Sequence, residues 1–131
     1  MAVNTKSYII DASFILTYLF PDEPYTEADA LFEEYEKGSV KLCSSSLLPL
    51  EVANGLRSSV LRKRYDKKTI LTLFRTFLEY PIDFKKLNYE EILSLSLEKS
   101  ISVYDASYLS LSYNLNLPLL TRDETLKKLS K

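Results

Sequence analysis

The 131-residue chain sets 17 Lys and Arg against 18 Asp and Glu for a net charge of −1, has no histidine and one cysteine, and at 46% hydrophobic and 27% charged has the balance of an ordinary globular domain. The missing histidine excludes Ser-His-Asp and Cys-His pairs and imidazole-held zinc, while Cys43 alone makes neither an intrachain disulfide nor a thiolate cage. With only Gly38 and Gly55, no phosphate loop or GxGxxG turn is present, so the available chemistry is that of carboxylates, hydroxyls, amines and guanidiniums, and any metal bound is expected to be a hard one held by oxygen.

The first expected strand is Tyr8–Asp11, and the apolar stretch from Tyr8 to Phe20 that it opens is broken by Asp11. This stretch lacks the marks of a signal peptide, and no run reaches the ~18 apolar residues of a membrane span, so a cytoplasmic, reducing location is expected. Residues 22–36 then carry seven acids and no base. Over 26–37, Ala28, Leu31, Phe32 and Tyr35 make one helical stripe. A strand at Val40–Cys43 is followed by a helix over 47–64, with Leu48, Val52, Leu56 and Val60 four apart, and by another over 67–79.

Residues 57–68 include six bases (Arg57, Arg62, Lys63, Arg64, Lys67 and Lys68) against one acid. The acidic and basic segments are either solvated helix faces or a polarised surface whose basic side meets an anion. A strand at Ile82–Phe84 precedes Asn88 and Glu91, spaced as a capping box for a helix through about Glu98. A last strand at Pro118–Thr121 leads to a short helix over 124–130. Short strands alternating with helices, with no linker or repeat, predict one α/β domain over 1–131 with a small parallel sheet.

Four carboxylates sit at strand ends or in apolar surroundings: Asp11, Glu51, Asp105 and Asp123. Each has an ordinary alternative. Asp11 and Asp105 head Asp-Ala-Ser tripeptides as N-caps do, Asp123 lies within a possible Thr121–Glu124 capping box, and Glu51 has Arg57 nearby as a partner. Functional groups in parallel sheets collect at the carboxyl ends of strands, and clustered carboxylates repel unless a divalent cation such as Mg²⁺ or Mn²⁺ offsets them. Such a cation activates water and stabilises phosphoryl charge without His or Cys.

At Ile9-Ile10-Asp11-Ala12-Ser13, Leu50-Glu51-Val52-Ala53-Asn54, Val103-Tyr104-Asp105-Ala106-Ser107-Tyr108-Leu109 and Leu119-Leu120-Thr121-Arg122-Asp123-Glu124, the sequence resembles the PIN-domain family and, within it, the VapC-like toxins of type II toxin–antitoxin pairs. The resemblance implies a three-layer α/β/α fold and an Mg²⁺- or Mn²⁺-dependent endoribonuclease acting on single-stranded or structured RNA and leaving 5′-phosphate and 3′-hydroxyl ends. It makes Asp11, Glu51, Asp105 and Asp123 the acidic quartet, with Ser13 and Thr121 as supporting hydroxyls and Asn54 as a polar neighbour. Arg57, Arg62, Lys63, Arg64 and Arg122 are then candidate RNA contacts. A homodimer and a cognate antitoxin protein are expected partners. The apolar run Phe14, Leu16, Tyr18, Leu19 and Phe20 is either partner surface or core. The rival expectations are a PIN nuclease in housekeeping RNA processing and a catalytically silent binding module.

Overall fold

Among the described residues four short strands pair in parallel: β1 (Lys6–Ile10), β2 (Val40–Ser45), β3 (Asp83–Lys85) and β4 (Leu119–Leu120) lie in the order β3-β2-β1-β4. Among the described residues seven helices accompany them, the first six between strands and the last after β4: α1 (Ala12–Leu19), α2 (Glu27–Glu36), α3 (Leu48–Leu61), α4 (Lys67–Leu78), α5 (Tyr89–Lys99), α6 (Val103–Leu115) and α7 (Glu124–Leu129). This computed structural model describes residues 5–22 and 27–130. Glu23 of the acidic segment and Thr26, the first residue of the helix expected over 26–37, lie outside the described residues.

The architecture is the expected α/β/α arrangement. Helix α6 lies across β1, β2 and β4 with α5 and α7 against it, while α1–α4 pack in a second group that meets the sheet through α2 and β2. Ile9 and Ile10 of the central strand are fully buried, because a parallel sheet covered by helices hides both faces of its inner strands. Ile9 lies opposite both Cys43 and Leu119. Strand order reverses at β1, with β2 on one side and β4 on the other, so the crevice expected in such sheets opens beside the end of β1. Among the described residues no helix is long and apolar enough to cross a membrane.

Several element ends differ from the expected ones, each for a local reason. Asp11 leaves β1 to cap α1, so the strand ends at Ile10. Strand β2 runs two residues past Cys43 because Ser44 and Ser45 satisfy their hydroxyls internally, Ser44 by donating to the Ile10 carbonyl and Ser45 by accepting from Leu47 N–H. Strand β3 is displaced by one residue to Asp83–Lys85. Helix α3 stops at Leu61, short of the expected residue 64, where Lys63 turns left-handed at φ 59°. Half of the Asn88–Glu91 box forms: Asn88 accepts from Glu91 N–H, but the Glu91 carboxylate turns away to Ser110 and Asn114 on α6. Helices α5 and α6 close on Ser100 and Asn116, both left-handed.

Three of the five residues in the apolar run after Asp11 are core, and Leu16 and Tyr18 are half-buried against it. Phe14, Leu19 and Phe20 are buried, Tyr18 stacks on Phe32 with ring centroids 4.0 Å apart, and Leu16 lies against α3. Gly55 permits this α1–α3 approach, since a Cβ there would stand 2.4 Å from Leu16 Cδ1 and 3.4 Å from its Cγ. Gly55→Val therefore forces Leu16 to move together with the helix bearing Ser13. Urea denaturation is expected to show a loss of about 1–3 kcal/mol, the usual cost of overpacking. Unchanged stability would mean that Leu16 rotates away freely.

Candidate active site

Asp11 joins the end of β1 to the start of α1, and its carboxylate is held from three directions. Oδ1 accepts from Phe14 N–H at 3.0 Å, which caps the helix, and from the Ser13 hydroxyl at 2.7 Å. Oδ2 accepts from the Thr121 hydroxyl at the end of β4. Those two hydroxyls also receive backbone donors from the next loop: Arg122 N–H reaches Ser13 Oγ at 2.9 Å, and Asp123 N–H reaches Thr121 Oγ1 at 3.0 Å. Ser13 and Thr121 thus spend their protons on Asp11 and their lone pairs on the loop that carries Asp123. Asp123 in turn caps α7 by accepting from Leu126 N–H at 2.9 Å.

Asp105 and Glu51 cap nothing. The N-cap of α6 is Ser102, whose hydroxyl accepts from Asp105 N–H at 3.0 Å, so the expected capping role of Asp105 is replaced by a place in the first helical turn. Likewise, the Thr121–Glu124 box gives way to a cap by Asp123 itself. Glu51 stands in the first turn of α3, where Oε1 accepts from the hydroxyl of Tyr108 on α6, rather than pairing with Arg57.

Asp11, Ser13, Glu51, Asp105, Tyr108 and Asp123 line one cleft of about 140 Å³. Its electrostatics are those of carboxylates short of water and close together. Burial pushes the Asp11 carboxyl up, its three hydrogen bonds pull it back, and the Asp105 charge adds to the rise. Glu51 is raised by burial against the pull of Tyr108, with the charges of Asp105 and Asp11 adding. Asp105 is raised by burial and by the Asp123 charge. Tyr108, buried and facing Glu51, has its phenol pushed far up and remains a proton donor to that carboxylate.

Three partly desolvated carboxylates with exposed Asp123 beside them form an all-oxygen set whose donor chemistry suits a hard divalent cation. The carboxylates share the cleft without closing a cage: among the described residues no group of three or more His, Cys, Asp or Glu side chains is arranged to hold a metal ion.

The other sequence candidates lie farther out. Asn54 lines a neighbouring hollow, one helical turn beyond Glu51. Arg57 and Arg62 are exposed along α3, roughly 9 and 16 Å beyond Glu51 by helical rise, and Lys63 follows them. Arg64 is engaged elsewhere, gripping Asp22 with two nitrogens at 2.7 and 3.1 Å and stacking over the Phe20 ring at 4.4 Å. Arg122, exposed beside Asp123, is the nearest of these cations to the acidic cleft along the chain. Tyr108 was not among the site residues expected from sequence, although its place three residues after Asp105 puts both side chains on one helix face.

Three comparisons bear on this arrangement. The sequence model described as "PIN domain" matches residues 8–131. Ribonuclease VapC3 of Pyrobaculum aerophilum is 27% identical over 122 residues, covering 90% of each chain. The crystal structure of PAE2754, also from Pyrobaculum aerophilum, superposes with a TM-score of 0.75 at 19% identity over all of this chain and 89% of the other, a likeness of fold.

Proposed function

The chain belongs to the PIN-domain family, and from that premise we propose that it is an Mg²⁺- or Mn²⁺-dependent endoribonuclease, the toxin of a type II toxin–antitoxin pair. The relative named Ribonuclease VapC3 supports the RNA substrate and the toxin role. The observation that carries the reading is the shared cleft of Asp11, Glu51, Asp105 and Asp123. As helix caps alone, these residues would form a silent binding module. Capping accounts for Asp11 and Asp123 but not for Asp105 and Glu51, which are both partly desolvated and raised by neighbouring charge while capping no helix, Glu51 accepting only from the Tyr108 hydroxyl.

In this reading Asp11 and Asp105 hold the divalent cation, with Glu51 and Asp123 completing its surroundings or orienting the attacking water. The bound cation supplies Lewis-acid stabilisation of phosphoryl charge and an acidified water. The protein's own contribution is orientation. Ser13 and Thr121 fix both oxygens of Asp11, and Tyr108 occupies Oε1 of Glu51, leaving Oε2 for cation or water. Arg122 stands ready to meet a backbone phosphate, with Arg57, Arg62 and Lys63 offering charge farther along the strand. A cytoplasmic location, a homodimer and an antitoxin segment that covers the acids belong to the same proposal.

The test is incubation of the purified protein with mixed cellular RNA, with and without Mg²⁺ or Mn²⁺, followed by mapping of cut ends. Metal-dependent cuts bearing 5′-phosphates are expected, and intact RNA in both metals would refute the proposal. Tyr108→Phe keeps the ring and removes the donor to Glu51. A loss of about 10- to 100-fold in cleavage or Mn²⁺ affinity is expected, as for other groups that orient metal ligands. Wild-type values for both would remove Tyr108 from the machinery.

A further inference from the structure

Next to the acidic cleft, with Glu51 as the shared wall, lies a second cavity of about 360 Å³ lined by Leu47, Leu50, Glu51, Asn54 and Tyr104. One wall belongs to the start of α3, where Leu47 at the N-cap and Leu50 and Asn54 in the helix lie three and four residues apart on one face. The opposite wall is the Tyr104 ring in the first turn of α6, immediately before Asp105. Both walls show large apolar side chains to solvent, Leu50 being 73% and Tyr104 53% exposed. The Asn54 carboxamide makes no hydrogen bond among the described residues, the Ser58 hydroxyl donating to its backbone carbonyl instead.

A buried hydroxyl relay fixes the spacing of the two walls. Leu47 N–H donates to Ser45 Oγ at 3.1 Å, Ser45 and Ser107 are 3.0 Å apart, and the Ser107 hydroxyl donates to the Tyr104 carbonyl at 2.7 Å. Ser107 has one proton and stands as donor to both Ser45 Oγ and the Tyr104 carbonyl, so that proton is shared between the two acceptors. Both serines are fully buried. The backbones at the mouths of α3 and α6 are therefore tied through the core rather than left to drift.

We propose that this cavity is a nucleobase slot, holding the base of a nucleotide next to the phosphate presented to the acidic cleft, with Tyr104 and Leu50 as stacking surfaces and Asn54 reading the base edge. The inference rests on the ribonuclease reading above and adds a base-binding subsite to it, one that takes an unpaired base because only such a base can be splayed between an aromatic ring and an apolar wall. Stacking on an aromatic side chain tolerates any base, whereas a carboxamide with a free donor and acceptor distinguishes one base edge from another. Tyr104 thus supplies affinity and Asn54 preference.

The experiment uses the full chain and a set of fluorescein-labelled single-stranded oligoribonucleotides varied at each position. For cleavage in Mn²⁺, Tyr104→Ala is expected to raise KM about 5- to 150-fold, the range for loss of one stacked base, with kcat within a few-fold and Mn²⁺ affinity unchanged. Tyr104→Phe, which keeps the ring, is expected to restore the wild-type KM. Asn54→Ala is expected to flatten the base preference beside the cut. In a parallel arm, binding of the same oligonucleotides to Asp11→Asn is measured with and without Tyr104→Ala, a readout independent of cleavage. Tyr104-dependent binding without cleavage by the wild type would sink the nuclease reading and leave the slot standing. Binding or cleavage indifferent to Tyr104→Ala, or no oligonucleotide binding at all, would overturn the slot.

Discussion

Asp11→Asn is expected to reduce metal-dependent RNA cleavage by about 10³-fold or more while the protein keeps its fold. Removing one anionic oxygen from the best-held of the four carboxylates removes several kcal/mol of cation binding and charge stabilisation, and each 1.36 kcal/mol is tenfold in rate. Asparagine is isosteric and caps a helix about as well as aspartate, so Phe14 N–H and the Ser13 hydroxyl keep an acceptor. The new amide faces Thr121, whose hydroxyl can accept from it by turning its own proton toward Ser13, 3.4 Å away. Asp105→Asn is expected to behave alike, since the cap of α6 is the Ser102 hydroxyl and an amide keeps the size and an oxygen acceptor of the carboxylate it replaces. The measurement pairs cleavage rates in Mn²⁺ with thermal melting of each variant. A rate near that of wild type in either one, with the fold intact, would break the assignment of the acids as the catalytic centre.

How much of this was legible beforehand varies with the kind of interaction. The strand cores and the parallel class followed from apolar runs too short for helices, and β1 was the clearest because both of its faces are buried. Its end was misjudged by one residue because Asp11 serves two elements at once, following the strand and capping the helix. The extension of β2 through Ser44 and Ser45 was hidden because serine is a poor strand signal, and only tertiary partners such as the Ile10 carbonyl satisfy it there. The four acids stood out as charges in apolar surroundings. Which were caps depended on the competition of neighbouring hydroxyls, and Ser102 displaced Asp105 in a way that no spacing reveals. Tyr108 carries no local signal of its own, because its hydroxyl acquires meaning from Glu51, which is 57 residues away in sequence. Within the basic segment the chain turns at Lys63, and Arg64 pairs with Asp22, a partner 42 residues away that no local spacing reveals.

The same cluster makes the stability of the protein depend on pH and metal together, and the two should be measured as one surface. Asp11, Glu51 and Asp105 all have carboxyl pKa values raised in the folded state, by burial first and by one another's charge second. A raised acid holds its proton better folded than unfolded. Its favourable contribution is therefore complete below the unfolded values of 3.8 for Asp and 4.5 for Glu, and is lost as pH rises through the raised values. Asp22, Glu34 and Asp66 are shifted the other way by ion pairing or hydrogen bonding, and they withdraw stability as pH falls. A melting curve of the wild type alone mixes the two groups, whereas its difference from Asp11→Asn isolates the cleft. In the presence of chelator, the variant is expected to gain on the wild type as pH is raised from about 4 to 8. Mn²⁺ reverses the order, because its ligands must be deprotonated and its binding stabilises only the folded state. At 100 times its Kd the ion adds about 2.7 kcal/mol, a rise of about 10 °C in Tm for a domain of this size, in wild type and not in Asp11→Asn. An Mn²⁺ shift that is absent at every pH, or equal in the two proteins, would mean that the carboxylates repel one another with no cation to offset them, and the catalytic reading would lose its physical basis.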